Sequence, residues 1–131
     1  MTEAKKYRYL VTVPIKGHGM PSFTYMNNEL IPGCNIDIMY NWILKMPNYN
    51  PDMASGHSHD YDEVILNIGM DPNNPEDLGA EIDGFTGDEK QIIDRTSAIF
   101  IPRNVVHGVV RWNKFERPHI QMAIKLTGES S

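Results

Sequence analysis

The sequence predicts an all-β fold, a sandwich or barrel of short strands, on three observations. Nine prolines and ten glycines are spread along 131 residues, so few windows escape a breaker for the roughly twelve residues that a stable helix wants. Short segments of alternating side chains recur instead. Between them lie runs of Pro, Asn, Asp and Gly, at the spacing that sandwiches and barrels show.

Taken in order, Tyr7, Tyr9, Val11 and Val13 share one face of an expected strand over residues 7–13, with Arg8, Leu10 and Thr12 on the other. Residues 35–46 (NIDIMYNWILKM) are β-branched and aromatic and end at Pro47, and residues 46–55 (MPNYNPDMAS) read as a loop. A short, largely apolar strand is expected at residues 63–69 (EVILNIG). Residues 70–79 (MDPNNPEDLG) form a turn-rich acidic loop, longer than a typical hairpin connection, which suits either a lid or a mobile insertion. Residues 98–101 (AIFI) stop at Pro102, and residues 105–112 and 119–126 alternate further. Tyr25, Trp42 and Phe100 are expected in the core, beside eight adaptable methionines. No repeat, low-complexity tract or linker interrupts residues 1–131, so a single domain is expected.

Composition narrows the function. With 40 % apolar and 22 % charged residues, the chain buries a core and stays dissolved, which excludes a mostly disordered chain. No apolar stretch is long enough to cross a bilayer, so no membrane partner is expected. The N-terminus lacks the apolar run of a secretory signal, and the single Cys34 has no internal disulfide partner; both predict a cytoplasmic, reducing setting and an inert thiol. A net charge of −5 argues against a nucleic-acid partner. The charge is uneven: residues 60–94 hold eleven acidic residues and one basic, whereas residues 95–125 hold six basic residues and one acidic. Two solvated faces explain this, or a basic segment that receives a small anion. No G-x-S-x-G elbow, phosphate loop, paired CxxC or dinucleotide fingerprint occurs.

Two segments carry the candidate chemistry. In Gly56-His57-Ser58-His59-Asp60-Tyr61-Asp62-Glu63, an extended chain points His57 and His59 the same way, and a turn over residues 60–62 brings Glu63 back beside them. A helix would set the two imidazoles about 200° apart. In Pro102-Arg103-Asn104-Val105-Val106-His107-Gly108, a third histidine stands at the head of a strand. Three imidazoles and a carboxylate suit one divalent transition ion (Fe, Mn, Ni, Co or Zn) better than Ca²⁺ or Mg²⁺. Unpaired, the Glu63 carboxylate would be costly to bury.

Other residues have weaker readings. Arg111 alternates with His107 and Val109, so it either grips a substrate carboxylate or answers the acidic loops at a strand end. Asn67 shares a face with Glu63 and either lines a cavity and binds substrate or is a hydrogen-bonded structural amide; His119 and Gln121 alternate together and face either the cavity, as substrate-binding residues, or solvent. Tyr61, Glu29 and His119 are the acid or base candidates, no catalytic residue being assigned. His18, in Gly17-His18-Gly19-Met20, reads as loop.

At these residues the sequence resembles the cupin superfamily. Its first motif, about residues 51–70, matches at His57, His59 and Glu63; its second, about residues 96–111, matches at Pro102, Asn104 and His107. Asn104 replaces the usual glycine, Pro51 the opening glycine, Thr96 the glycine before the second motif and Arg111 its closing asparagine; Gly69 arrives one residue early. The resemblance implies a double-stranded β-helix (jelly-roll barrel) holding a metal on His57, His59, Glu63 and His107, and a homodimer. It also implies a mononuclear metalloenzyme acting on a small polar or anionic organic substrate, either an oxidoreductase of the dioxygenase type or a lyase, decarboxylase or isomerase. The alternative is a non-catalytic ligand-binding or sensor cupin with a structural metal.

Overall fold

The computed structural model describes residues 7–16 and 22–128; His18 and its expected loop lie outside them. In chain order the elements are β1 (Ile15–Lys16), β2 (Ser22–Met26), β3 (Asp37–Ile43), α1 (Pro51–Ser55), β4 (Glu63–Gly69), β5 (Asp77–Thr86), β6 (Glu89–Arg95), β7 (Ser97–Ile101), β8 (His107–Phe115) and β9 (His119–Lys125). They form a six-stranded antiparallel sheet in the order β1-β2-β3-β9-β4-β7 and a three-stranded sheet in the order β6-β5-β8. Among the described residues, no helix is long and apolar enough to cross a membrane.

The core sits where the sheets face each other. Leu78, Ala80 and Ile82 of β5 and Ile93 of β6 are its buried centre, with Ile99, Val109, Trp112 and Phe115 packed on it. The spacing of the last three is not the period of two that a regular strand gives. Val109 pairs with Gly84 but Arg111 with Asp83, and Trp112 pairs with Ile82 but Lys114 with Glu81. Each step inserts an extra β8 residue, a β-bulge that turns the next side chain over. This corrects the expected face of Arg111, which diverges from that of His107 and Val109. Arg111 is 63 % exposed beside Asp83, 3.6 Å away, and is not among the residues lining the cavity described below.

Three other expectations are corrected. Residues 7–13 form no strand; pairing begins at Ile15. Tyr25, Trp42 and Phe100 are not core. Because Ile65, Asn67 and Gln121 face inward, the alternate residues Leu66, Met122, Tyr40 and Trp42 face outward with Phe23 and Tyr25, and Phe100 is 57 % exposed. The acidic segment is shorter than the loop expected over residues 70–79: it is a turn, residues 70–76, and β5 begins at Asp77. Asn73 N–H donates to Asp71 Oδ1 (2.9 Å), and Asn74 and Asp77 close successive backbone turns. Thr96, at the expected glycine, staples it: its hydroxyl donates to Pro75 O (2.7 Å) and accepts from Gly69 N–H (2.8 Å).

The loop expected over residues 46–55 contains α1. Asn50 caps it by accepting from Asp52 N–H, and Pro51 fits the first helical turn, where no N–H bond is lost. Helix and β8 approach closely at Gly108, where a Cβ would fall on the Met53 carbonyl oxygen. Gly56 ends the helix at φ 89°, ψ 165°, a region essentially reserved for glycine, with Phe85 and Val106 against it. Gly56→Ala is expected to cost about 1–3 kcal/mol from backbone strain alone, more with the clash. Urea denaturation checks this, with Asn104→Gly as the near-neutral control.

Candidate metal centre

The histidines are positioned by backbone bonds between two loops. His57 N–H donates to His107 O (2.9 Å) and His107 N–H donates to His57 O (2.8 Å), an isolated antiparallel bridge. Asn104 N–H donates to His59 O (2.7 Å), and Arg103 N–H donates to Asp62 Oδ1 (2.8 Å). Asn104 stands at φ 64°, the left-handed turn that asparagine tolerates better than most residues. The two motifs, some fifty residues apart, are thus sewn side by side.

The side chains converge in consequence. One ring nitrogen from each of His57, His59 and His107 lies within 4.8 Å of the others. Glu63, buried at the start of β4, lies outside that mutual radius but places Oε1 3.4 Å from His107 Nε2. His107 Nδ1 is 3.0 Å from Val105 O. A carbonyl only accepts, so Nδ1 carries the proton and Nε2 is the atom that faces the Glu63 carboxylate. Two acceptors at that separation repel unless a proton or cation lies between them. The donor set, three imidazoles and one carboxylate, therefore fits a borderline divalent ion.

Burial pushes the pKa of His57 down, with His107 and then Lys125 adding repulsion. His59 shifts the same way, first through burial and then through His57, His107 and Lys125. Both stay neutral and able to ligate. Burial pushes Glu63 up, while His107 and Lys125 pull it back and Asp37 adds to the rise. Sequence reasoning missed Lys125, although parity from Gln121 gives its side: the register sets it across from Glu63 on β4 and Asp37 on β3.

Behind the cluster lies a cavity of about 120 Å³. His57, Glu63 and His107 border it, Ile65, Ile93, Ile99 and Val109 form apolar walls, and Asn67 and Gln121 lie among its lining. Phe85, Thr86 and Gln91 come from the β5–β6 hairpin, which the sequence reading did not resolve.

The remaining candidates fall elsewhere. Tyr61 stacks on His59 with centroids 4.8 Å apart. Glu29 is exposed in a turn held by Asn27 Oδ1. Cys34 is half-buried, its thiol against Ile36 O. His119 is fully buried, stacked against Trp112 and near Phe115, and does not line the cavity. Neither of its ring nitrogens has a hydrogen-bond partner of good geometry. Burial lowers its pKa, opposed by the Arg117 backbone.

A histidine with a folded pKa below the unfolded value of about 6.5 takes up its proton more readily in the unfolded chain. Stability is then fully present above that value and falls as pH drops toward the folded pKa. Metal-free protein is expected to unfold at lower urea concentration at pH 5.5 than at pH 7.5. His119→Phe should remove part of that dependence, His57 and His59 retaining the rest; an unchanged slope would count against it.

No family model and no curated protein matches the sequence. Solved structures match in fold. An RmlC-like cupin from Shewanella frigidimarina aligns with a TM-score of 0.55 over 99 % of this chain and 95 % of its own, at 13 % identity. A cupin protein from Bacteroides fragilis gives 0.52 at 14 % identity, over 90 % and 87 %. The DMSP lyase DddQ from Ruegeria pomeroyi gives 0.52 at 13 % identity, over 84 % of this chain and 48 % of that one. With two antiparallel sheets enclosing a cavity bordered by histidines, and with these neighbours, the chain shares the all-β jelly-roll fold of these cupin structures.

Proposed function

We propose that this cupin is a mononuclear metalloenzyme whose ligands are His57, His59, Glu63 and His107. The observation that carries the reading is the confrontation of His107 Nε2 with Glu63 Oε1 at 3.4 Å, beside two further imidazoles and at the edge of a cavity. A divalent transition ion held there supplies Lewis-acid polarisation of a substrate oxygen. The protein's own part is to keep the His57 and His59 imidazoles neutral by burial, to orient the His107 ring through Val105, and to seat a small polar or anionic substrate among the isoleucines. The reaction is of the lyase, decarboxylase or isomerase type, or a dioxygenation. DddQ's being a DMSP lyase lends the first group fold-level support. A single half-buried thiol supports a cytoplasmic setting.

Metal analysis of purified protein is expected to find about one equivalent of a transition ion in the wild type. In His57→Ala the affinity should fall at least about 100-fold. Equal metal in both would remove the assignment.

We infer as well that two copies pair through the outer face of the six-stranded sheet. Phe23, Tyr25, Tyr40, Trp42, Leu66 and Met122 form an apolar surface there, with the Tyr25 and Tyr40 rings stacked at 4.9 Å. Light scattering should give a dimer mass for the wild type and a monomer mass for Trp42→Glu.

A further inference from the structure

The cavity has a second polar position, away from the histidines. Glu63 and Asn67 lie on the same face of β4, four residues and roughly 13 Å apart along the strand. Asn67 is 1 % exposed. Its Oδ1 accepts from Gln121 Nε2 at 3.1 Å, across the register that pairs the two residues. Its Nδ2 has no partner. A buried amide N–H without an acceptor costs as much as a lost hydrogen bond, so its presence in a cavity wall calls for an occupant.

The other polar lining residues are engaged. Thr86 Oγ1 donates to Gln91 Oε1 (3.2 Å), and Gln91 Nε2 donates to Glu89 Oε1 (2.9 Å). Between Asn67 and the histidines the walls are Ile65, Ile93, Ile99 and Val109. At about 120 Å³ the space holds roughly five non-hydrogen atoms, by comparison with a ~150 Å³ cavity that takes benzene, which is the part of a five-carbon 4-oxo acid that extends beyond a carboxylate seated at the histidine cluster.

We propose that Asn67, oriented by Gln121, is the specificity-determining donor for a short oxo acid. One end of the ligand meets the histidine and glutamate cluster, a few apolar carbons cross the isoleucine-lined space, and a carbonyl oxygen accepts from Asn67 Nδ2. This rests on the reading of the cavity as a substrate site and adds the substrate's class. A chain of the same length without the distal oxygen leaves the amide unsatisfied and binds more weakly.

The test uses 4-oxopentanoate and pentanoate as probes. With Co²⁺-loaded protein, whose visible spectrum reports binding, 4-oxopentanoate is expected to bind at least about tenfold tighter than pentanoate. Asn67→Leu and Asn67→Asp should each abolish the preference while still taking up Co²⁺. A preference that survives in both variants, or is missing in the wild type, overturns the proposal. A second arm needs neither metal nor variant: in ¹⁵N spectra of the wild type, 4-oxopentanoate should move the Asn67 side-chain amide and pentanoate should not. An unmoved amide overturns the proposal. If Co²⁺ is not taken up, the metal reading fails and the amide resonance decides alone.

Discussion

Everything at this centre depends on the pair of backbone hydrogen bonds that joins His57 to His107. Side chains on two loops lose a good deal of entropy when brought together, and rotamers alone would not hold them. The bridge meets that cost in the main chain: each of the two residues both donates and accepts. Gly56 supplies the backbone geometry that lets α1 run into the bridge, and Asn104 supplies the turn that brings the second loop under His59. Imidazole positions are therefore set by main-chain geometry, before any ligand contributes.

The cavity built on this frame is chemically graded. One end gathers imidazoles and a buried carboxylate, with Lys125 near enough for its charge to be felt by His57, His59 and Glu63. The middle is aliphatic, from both sheets. Beyond it the Asn67–Gln121 pair restores polarity. Such grading favours molecules that are themselves polar at the ends and apolar between.

The fold class and the site-bearing segments were legible because they rest on local chemistry. The HxH pair requires an extended backbone, and strand β4 begins and ends where the EVILNIG run does. Asn104 stands where the motif has glycine, and it takes the left-handed turn that a glycine there would take. What stayed hidden depends on tertiary register. Arg111 turns outward because β8 bulges, and no residue in residues 107–115 announces a bulge. Tyr25 and Trp42 have core-like side chains, but a sheet has two faces, and only pairing with β9 shows which one they occupy. The β5–β6 hairpin is peppered with charged residues that face solvent, so its pattern was weak, although it supplies Phe85, Thr86 and Gln91. Lys125 became visible as a neighbour of Glu63 only once β4 and β9 were in register.

The doubled bulge in β8 has a consequence for how tolerance to mutation would be distributed along the chain. Inward positions Val109, Trp112 and Phe115 recur every third residue in a segment that is extended throughout. A map of substitution sensitivity would show there a rhythm close to that of a helix, in a protein whose regular structure is nearly all sheet. Anyone inferring secondary structure from such a map alone would assign this strand to the wrong class.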